Sequence, residues 1–155
     1  MYIWSDFILL FIGSGAETKK IESFIESNKR KNVIYAGRYP SSEENTFLNA
    51  CDVSIISLHS MMYGLGVPSK SYYNMAAEKP LLYLGHENSE IAQVIRDNDI
   101  GWTEGSLDAT VLAKQFESIC KEKENFFDLG KKSRDVLINN FSEEVILQKY
   151  QNLFN

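Results

Sequence analysis

Val53-Ser54-Ile55-Ile56-Ser57-Leu58-His59-Ser60-Met61-Met62-Tyr63-Gly64-Leu65-Gly66-Val67-Pro68-Ser69-Lys70 is the stretch on which the fold of this chain turns. Its first six residues, rich in valine and isoleucine, have the length and composition of a buried strand. Two glycines and a proline then break any regular element. Pro68 disfavours helix in the residue before it, so a helix is expected to begin at Ser69. A strand that passes through a glycine-bearing loop into a helix start is suited to anions. There the Ser69 hydroxyl, the first amides and the positive helix end converge, with the Lys70 ammonium beside them. The same residues also admit a plainer reading, with Ser69 as an ordinary N-cap and Lys70 as an exposed lysine.

Outward from this stretch the chain alternates. Upstream, the apolar run Phe7-Ile8-Leu9-Leu10-Phe11-Ile12 predicts a strand covered on both faces, ending at Gly13-Ser14-Gly15. Ser14 and Glu17 fit a capping box, and Ile21, Phe24 and Ile25 share one helical face. The Gly13-x-Gly15 turn either packs strand tightly against helix or leaves room for a phosphate or sugar. It lacks the third glycine and the acidic residue of a dinucleotide fingerprint. Asn32 to Pro40 reads as a second strand with its exit loop, and Ser41 with Glu44 repeats the capping box before Phe47, Leu48 and Cys51.

Downstream, residues 81–85 form a fourth strand, Asn88 or Ser89 opens a helix carrying Ile91, Val94 and Ile95, and 100–103 is a short fifth strand. Helix follows from Ser106 onward, with Leu112, Phe116 and Ile119 on one face and Phe126, Leu129, Val136 and Leu137 in the next segment. Phe141 before Ser142, with Ile146 beyond, forms a hydrophobic staple for a last helix. Its stripe of Ile146, Tyr150 and Leu153 is expected to pack on this domain, docking to a further domain being the alternative. The fold class is therefore α/β, a Rossmann-like doubly wound parallel sheet with helices on both faces and C-terminal helices.

Bulk properties narrow the function. A chain of 155 residues, 44% hydrophobic and 24% charged, supports one domain with one core. Its net charge of -5 gives no general attraction to nucleic acid or anionic lipid. The basic run Lys29-Arg30-Lys31 reads as a solvated helix end. Cys51 and Cys120 have neither CxxC spacing nor flanking histidines, and His59 and His86 lie far apart, so reduced thiols and no metal site are expected. The first residues lack the basic region and apolar length of a signal peptide, and no run is long enough to span a membrane.

Gly64-Leu65-Gly66-Val67-Pro68-Ser69-Lys70, followed by Met75-Ala76-Ala77-Glu78-Lys79-Pro80, resembles retaining nucleotide-sugar glycosyltransferases of the GT-B fold. Within them it looks most like the surface-polysaccharide members of family 4. Their C-terminal domain has a G-x-P-S-K/R loop and a helix ending M-A-A-G-K-P. The order of weaker motifs agrees along nearly the whole chain. Phe11 to Gly15 is similar to that family's strand and G-x-G turn, and Val33 to Arg38 to its V-x-F-x-G strand. Ala50-Cys51-Asp52-Val53 matches its A-D-V entry, and Gly101 and Phe141-Ser142 fall in place.

The resemblance implies half of a GT-B fold that holds a nucleoside diphosphate sugar as substrate, with no cofactor and no metal. In that frame Gly13 and Gly15 form the G-x-G turn, Arg38 and Tyr39 lie by the base, and Gly64, Gly66 and Val67 lie near the donor sugar. Ser69 and Lys70 lie near the diphosphate or ribose. The family's Glu pair falls near Leu65 and on Tyr73, neither of them Glu, so ribose recognition through that carboxylate is excluded. Glu78 stands where the family has Gly.

The family's Arg and Lys for the leaving diphosphate come from an upstream strand-loop-helix, and its acceptor site from an N-terminal domain. The expectation is therefore a single nucleotide-sugar-binding domain over 1–155, a fragment lacking that first unit and inactive alone. Its expected partners are its own N-terminal domain and a glycan or lipid-linked acceptor, with no nucleic acid. The expected location is the cytoplasm or the inner face of the cytoplasmic membrane. A non-catalytic flavodoxin-like module is the alternative, opposed by Gly13-Ser14-Gly15 where a phosphorylatable Asp would stand. A nicotinamide-dependent enzyme is disfavoured by the incomplete fingerprint.

Overall fold

The computed structural model describes residues 7–28 and 31–154. The expected solvated helix end at Lys29 and Arg30 lies outside the described residues, as does the start of the chain before Phe7. The rest falls into two compact units divided between Cys51 and Asp52.

In the first unit, strand β1 (Leu9–Ile12) is joined by helix α1 (Thr18–Asn28) to strand β2 (Val33–Gly37), and the strands pair in parallel. A single 3-10 turn (Ser41–Glu43) then leads into the short helix α2 (Glu44–Leu48). Two expectations fail here. Phe11 is 38% exposed, so β1 is not covered on both faces. A two-stranded sheet with one crossover helix has too little apolar surface for that. Neither capping box forms as read. Helix α1 begins three residues beyond Gly15, whose amide donates to Thr18 Oγ1 at 2.9 Å, while Glu17 pairs instead with Lys20. Ser41 opens the 3-10 turn with no side-chain cap before α2.

The second unit is built on three parallel strands in the order β3 (Ser54–Ser57), β4 (Leu81–Leu84) and β5 (Gly101–Glu104). Their register is regular, Ile56 facing Tyr83 and Tyr83 facing Thr103. Helix α3 (Lys70–Ala76) connects β3 to β4, and α4 (Glu90–Asn98) connects β4 to β5. Parallel strands joined by helices in both units give the Rossmann-like α/β class expected from the alternation. The central strand is the most apolar and the best buried, with Leu81, Leu82 and Tyr83 inaccessible. Around it Ile56, Met75, Ile91, Ala92, Ile95, Ile100 and Val136 close one core. Ile91 and Ile95 sit one turn apart on α4, as their spacing requires.

Three helices follow, α5 (Ala109–Lys121), α6 (Phe126–Phe141) and α7 (Glu143–Leu153). Asp108 caps α5, accepting from Thr110 and Val111 N-H at 2.8 and 3.1 Å. Helix α6 approaches the C-terminal end of α3 through Gly130, where a β-carbon would lie 2.1 Å from the Glu78 carbonyl oxygen. Arg134, one turn on, donates to the Ala76 carbonyl at 3.2 Å, satisfying a free group at the end of α3. Another backbone contact admits only glycine: a β-carbon at Gly101 would lie 1.9 Å from the Leu81 carbonyl oxygen. The apolar stripe of α7 does not pack as expected, for Tyr150 is 59% and Leu153 76% exposed. Periodicity establishes that they share a face and says nothing of what covers it. Among the described residues no helix is long and apolar enough to cross a membrane.

Candidate functional site

Parallel sheets present their ligand sites at the carboxyl ends of the strands. In the first unit the turn after β1 and the loop after β2 meet. The Gly13 amide donates to the Gly37 carbonyl at 2.7 Å, and the Tyr35 hydroxyl donates to the Gly13 carbonyl at 2.9 Å. Gly13 adopts φ 112°, which only glycine takes readily, so its identity follows from the turn. Gly15 is different. A β-carbon there would meet nothing within 4 Å, so tight packing does not require the second glycine. Arg38 and Tyr39, directly after Gly37, are exposed.

In the second unit β3 runs out at Ser57, and the chain forms two successive turns, Met62 N-H to His59 O at 2.8 Å and Leu65 N-H to Met62 O at 3.1 Å. Gly64 then takes φ 76° and Val67 packs onto the core. Gly64 and Gly66 have open space where a side chain would stand. Helix α3 begins at Lys70, with Ser69 as its cap residue, close to the expected start. The cap is unusual, however. Ser69 is itself helical, φ -56° and ψ -28°, and its hydroxyl makes no capping bond.

The anion-site expectation is narrowed by the amides. Ser71 N-H donates to Pro68 O at 3.0 Å and Tyr72 N-H to Ser69 O at 3.1 Å, so both are spent within the turn. This end of α3 still presents the Ser69 hydroxyl and the exposed Lys70 ammonium. The helix is tied to the sheet from below. Asn74 Nδ2 donates to the Lys70 carbonyl at 2.7 Å, and the buried Ser54 hydroxyl donates to Asn74 Oδ1. Tyr73 is 55% exposed on the outer face of α3. Its neighbour Tyr72 packs on Phe141, ring centroids 5.2 Å apart. Burial holds the Tyr72 phenol above its ordinary range, and the Glu90 carboxylate adds to that by disfavouring a second negative charge.

The structure thus gathers Gly64, Gly66, Val67, Ser69, Lys70 and Tyr73 along one loop and helix start, and Gly13, Gly15, Arg38 and Tyr39 along two adjoining turns of the first unit. Sequence reasoning missed a further pair. Tyr63 stacks on His86, ring centroids 4.0 Å apart and planes 14° from parallel. His86 follows Gly85 at the end of β4, so its position in the strand-end loop was visible, but nothing marked Tyr63 as its partner. Among the described residues no group of three or more His, Cys, Asp or Glu could hold a metal ion.

Comparison with known proteins adds to this geometry. No protein-family model matches the chain. A probable glycosyltransferase of Pseudomonas aeruginosa, WbjE, is 38% identical over 140 residues, which cover 90% of this chain and 34% of that protein. The chain therefore spans about a third of the length of that curated relative. Among solved structures, TarM superposes with a TM-score of 0.72 at 22% identity, over 96% of this chain and 28% of TarM. A TarM variant from S. aureus, in complex with fondaparinux, alpha-GlcNAc-glycerol and UDP, gives the same TM-score and identity over 96% of this chain and 29% of its own. The resemblance to glycosyltransferases drawn from the motifs is met by the sequence relative, and the Rossmann-like fold by the structures.

Proposed function

We propose that this chain is the donor-binding part of a glycosyltransferase of the GT-B type. It would hold a nucleoside diphosphate sugar whose sugar passes, with retained configuration, to a glycan or lipid-linked acceptor. The observation that carries the reading is the identity with the probable glycosyltransferase along nine-tenths of the chain. The UDP and alpha-GlcNAc-glycerol bound to the TarM variant support the choice of ligand class. The acceptor site and the remaining cations for the diphosphate belong, on this reading, to the parts of the relative that the chain does not span.

Transfer breaks the bond between the anomeric carbon and the diphosphate oxygen, the acceptor hydroxyl oxygen bonds to that carbon in its place, and the hydroxyl proton leaves to the departing diphosphate or to solvent. Negative charge then gathers on the departing diphosphate, so the groups that matter most are those that stabilise it there. Lys70 supplies a mobile positive charge and Ser69 an uncommitted hydroxyl, both at the end of α3 where the helix dipole is positive. Gly64 and Gly66 offer space beside the backbone for the sugar. In the first unit, taken by itself, exposed Tyr39 offers an aromatic face and Arg38 a cation, the groups that suit a nucleotide base. The test is a titration with UDP, GDP and their sugars, following backbone amide signals. Shifts at Arg38, Ser69 and Lys70 are expected. Their absence in a protein restored upstream refutes the reading.

A further inference from the structure

Two loops leave the carboxyl edge of the second unit side by side, and the hydrogen bonds described for residues 59–65 run within the first loop itself. We infer that the Tyr63–His86 stack is a clasp that fixes the glycine-bearing segment 64–66 in the shape that receives the sugar nucleotide, the ligand assignment resting on the function proposed above.

One side of the clasp is firmly mounted. His86 Nδ1 accepts from the Asn88 amide at 3.1 Å, which orients the imidazole and places its proton on Nε2. Immediately before it, the Gly85 amide donates to the Glu104 carbonyl at 3.0 Å. A side chain at Gly85 would strike the Tyr83 hydroxyl at 2.4 Å and meet the Leu58 carbonyl at 3.0 Å. The His86 ring thus stands on packed strand ends. The other side is a loop that lacks such support. Met61 is 78% and Leu65 75% exposed, and Gly64 and Gly66 touch nothing where a side chain would be. Segment 64–66 is therefore bracketed by two anchors, Tyr63 on the His86 ring and Val67 on the core. Both rings are solvent-accessible, and a stack of this kind stabilises modestly while fixing an angle and a distance. Tyr63 and His86 act through the backbone they hold, which makes them positioning residues.

Two substitutions separate the ring from the turn it caps. His86→Asn retains an acceptor for the Asn88 amide and removes the stacked face. His86→Phe retains the face and removes the acceptor. Hydrogen exchange at the Leu65 amide, which the Met62 carbonyl holds, reads the clasp without any ligand, and titration with UDP and with GDP reads its use. His86→Asn is expected to speed exchange at the Leu65 amide by roughly threefold to tenfold, the range of an aromatic pair, and to weaken nucleotide affinity by a similar factor. His86→Phe should stay near the wild type in both. Unchanged exchange in His86→Asn, or equal loss in His86→Phe, overturns the clasp. If exchange responds but the protein restored upstream binds neither UDP nor GDP, the clasp stands and its assignment to a donor site is overturned together with the proposed function. If the wild type binds and His86→Asn binds equally well despite faster exchange, only the assignment to the ligand falls.

Discussion

Replacing Gly130 by alanine tests how closely α6 packs against the chain at the end of α3. The new β-carbon would lie 2.1 Å from the Glu78 carbonyl oxygen, 2.9 Å from its carbon and 3.5 Å from Pro80 Cδ. Ordinary contact needs well over an ångström more, and the obstacle is backbone, which cannot swing aside as a side chain can. Alanine would by itself favour α6 by about 1 kcal/mol. Forcing α6 off the end of α3 costs about 3 kcal/mol at the upper end of overpacking and strains the Arg134 contact to the Ala76 carbonyl. The net loss is about 2 kcal/mol, which for a chain of this size lowers Tm by roughly 6 °C. Thermal and urea unfolding of the variant and wild type would measure it. Gly105→Ala is the control, since a β-carbon there meets only the Gly85 carbonyl at an ordinary 3.6 Å and should change stability by no more than about 0.5 kcal/mol. A Gly130→Ala protein as stable as the wild type, or more so, would refute the close packing of α6 against residue 78.

Asp108→Ala removes the acceptor for two first-turn amides of α5 and should cost about 1 kcal/mol in urea unfolding. Ser69→Ala, by contrast, removes no capping bond, so its unfolding midpoint should stay within about 0.5 kcal/mol of the wild type. On the proposed function it weakens UDP or GDP binding measurably in calorimetry, and unchanged affinity would exclude the hydroxyl from the site. The raised Tyr72 pKa carries a pH signature. Above the ordinary value of 10.0 the unfolded phenol loses its proton while the folded one keeps it. Unfolding stability therefore falls with rising pH until the folded phenol also ionises. Tyr72→Phe keeps the ring on Phe141, and its stability between pH 9 and about 11 should decline less than that of the wild type.

The strands around Leu81 and the face of α4 were legible because continuous apolar runs and the spacing of Ile91 and Ile95 report burial directly. The start of α4 was legible as Asn88 or Ser89, and it is Ser89 that caps the helix from an extended backbone by accepting from Ala92 at 3.3 Å. Ser14 and Ser41, each with a Glu three residues on, carried the fuller capping-box pattern and failed. A motif names residues able to cap, whereas the turn before the helix decides which residue stands at its end. At Gly15 that turn is closed by Thr18 instead. The expectation of free first-turn amides at the start of α3 was too generous, because composition cannot show that the Ser71 and Tyr72 amides turn back on Pro68 and Ser69. The Tyr63–His86 partnership joins two loops without periodicity, and only the fold brings them together.

The backward turn at the start of α3 also bears on what association would cost. Pro68 has its φ fixed by the ring, and the amides of Ser71 and Tyr72 are held by the two residues before the helix. Ser69 and Lys70 are thus immobilised in their backbone by the chain itself, before anything arrives. A ligand that engages them forfeits only side-chain freedom, chiefly that of the lysine, and leaves the main-chain entropy untouched. Folding has already met that expense, and the same turn that reduces the number of donors makes those that remain less costly to use.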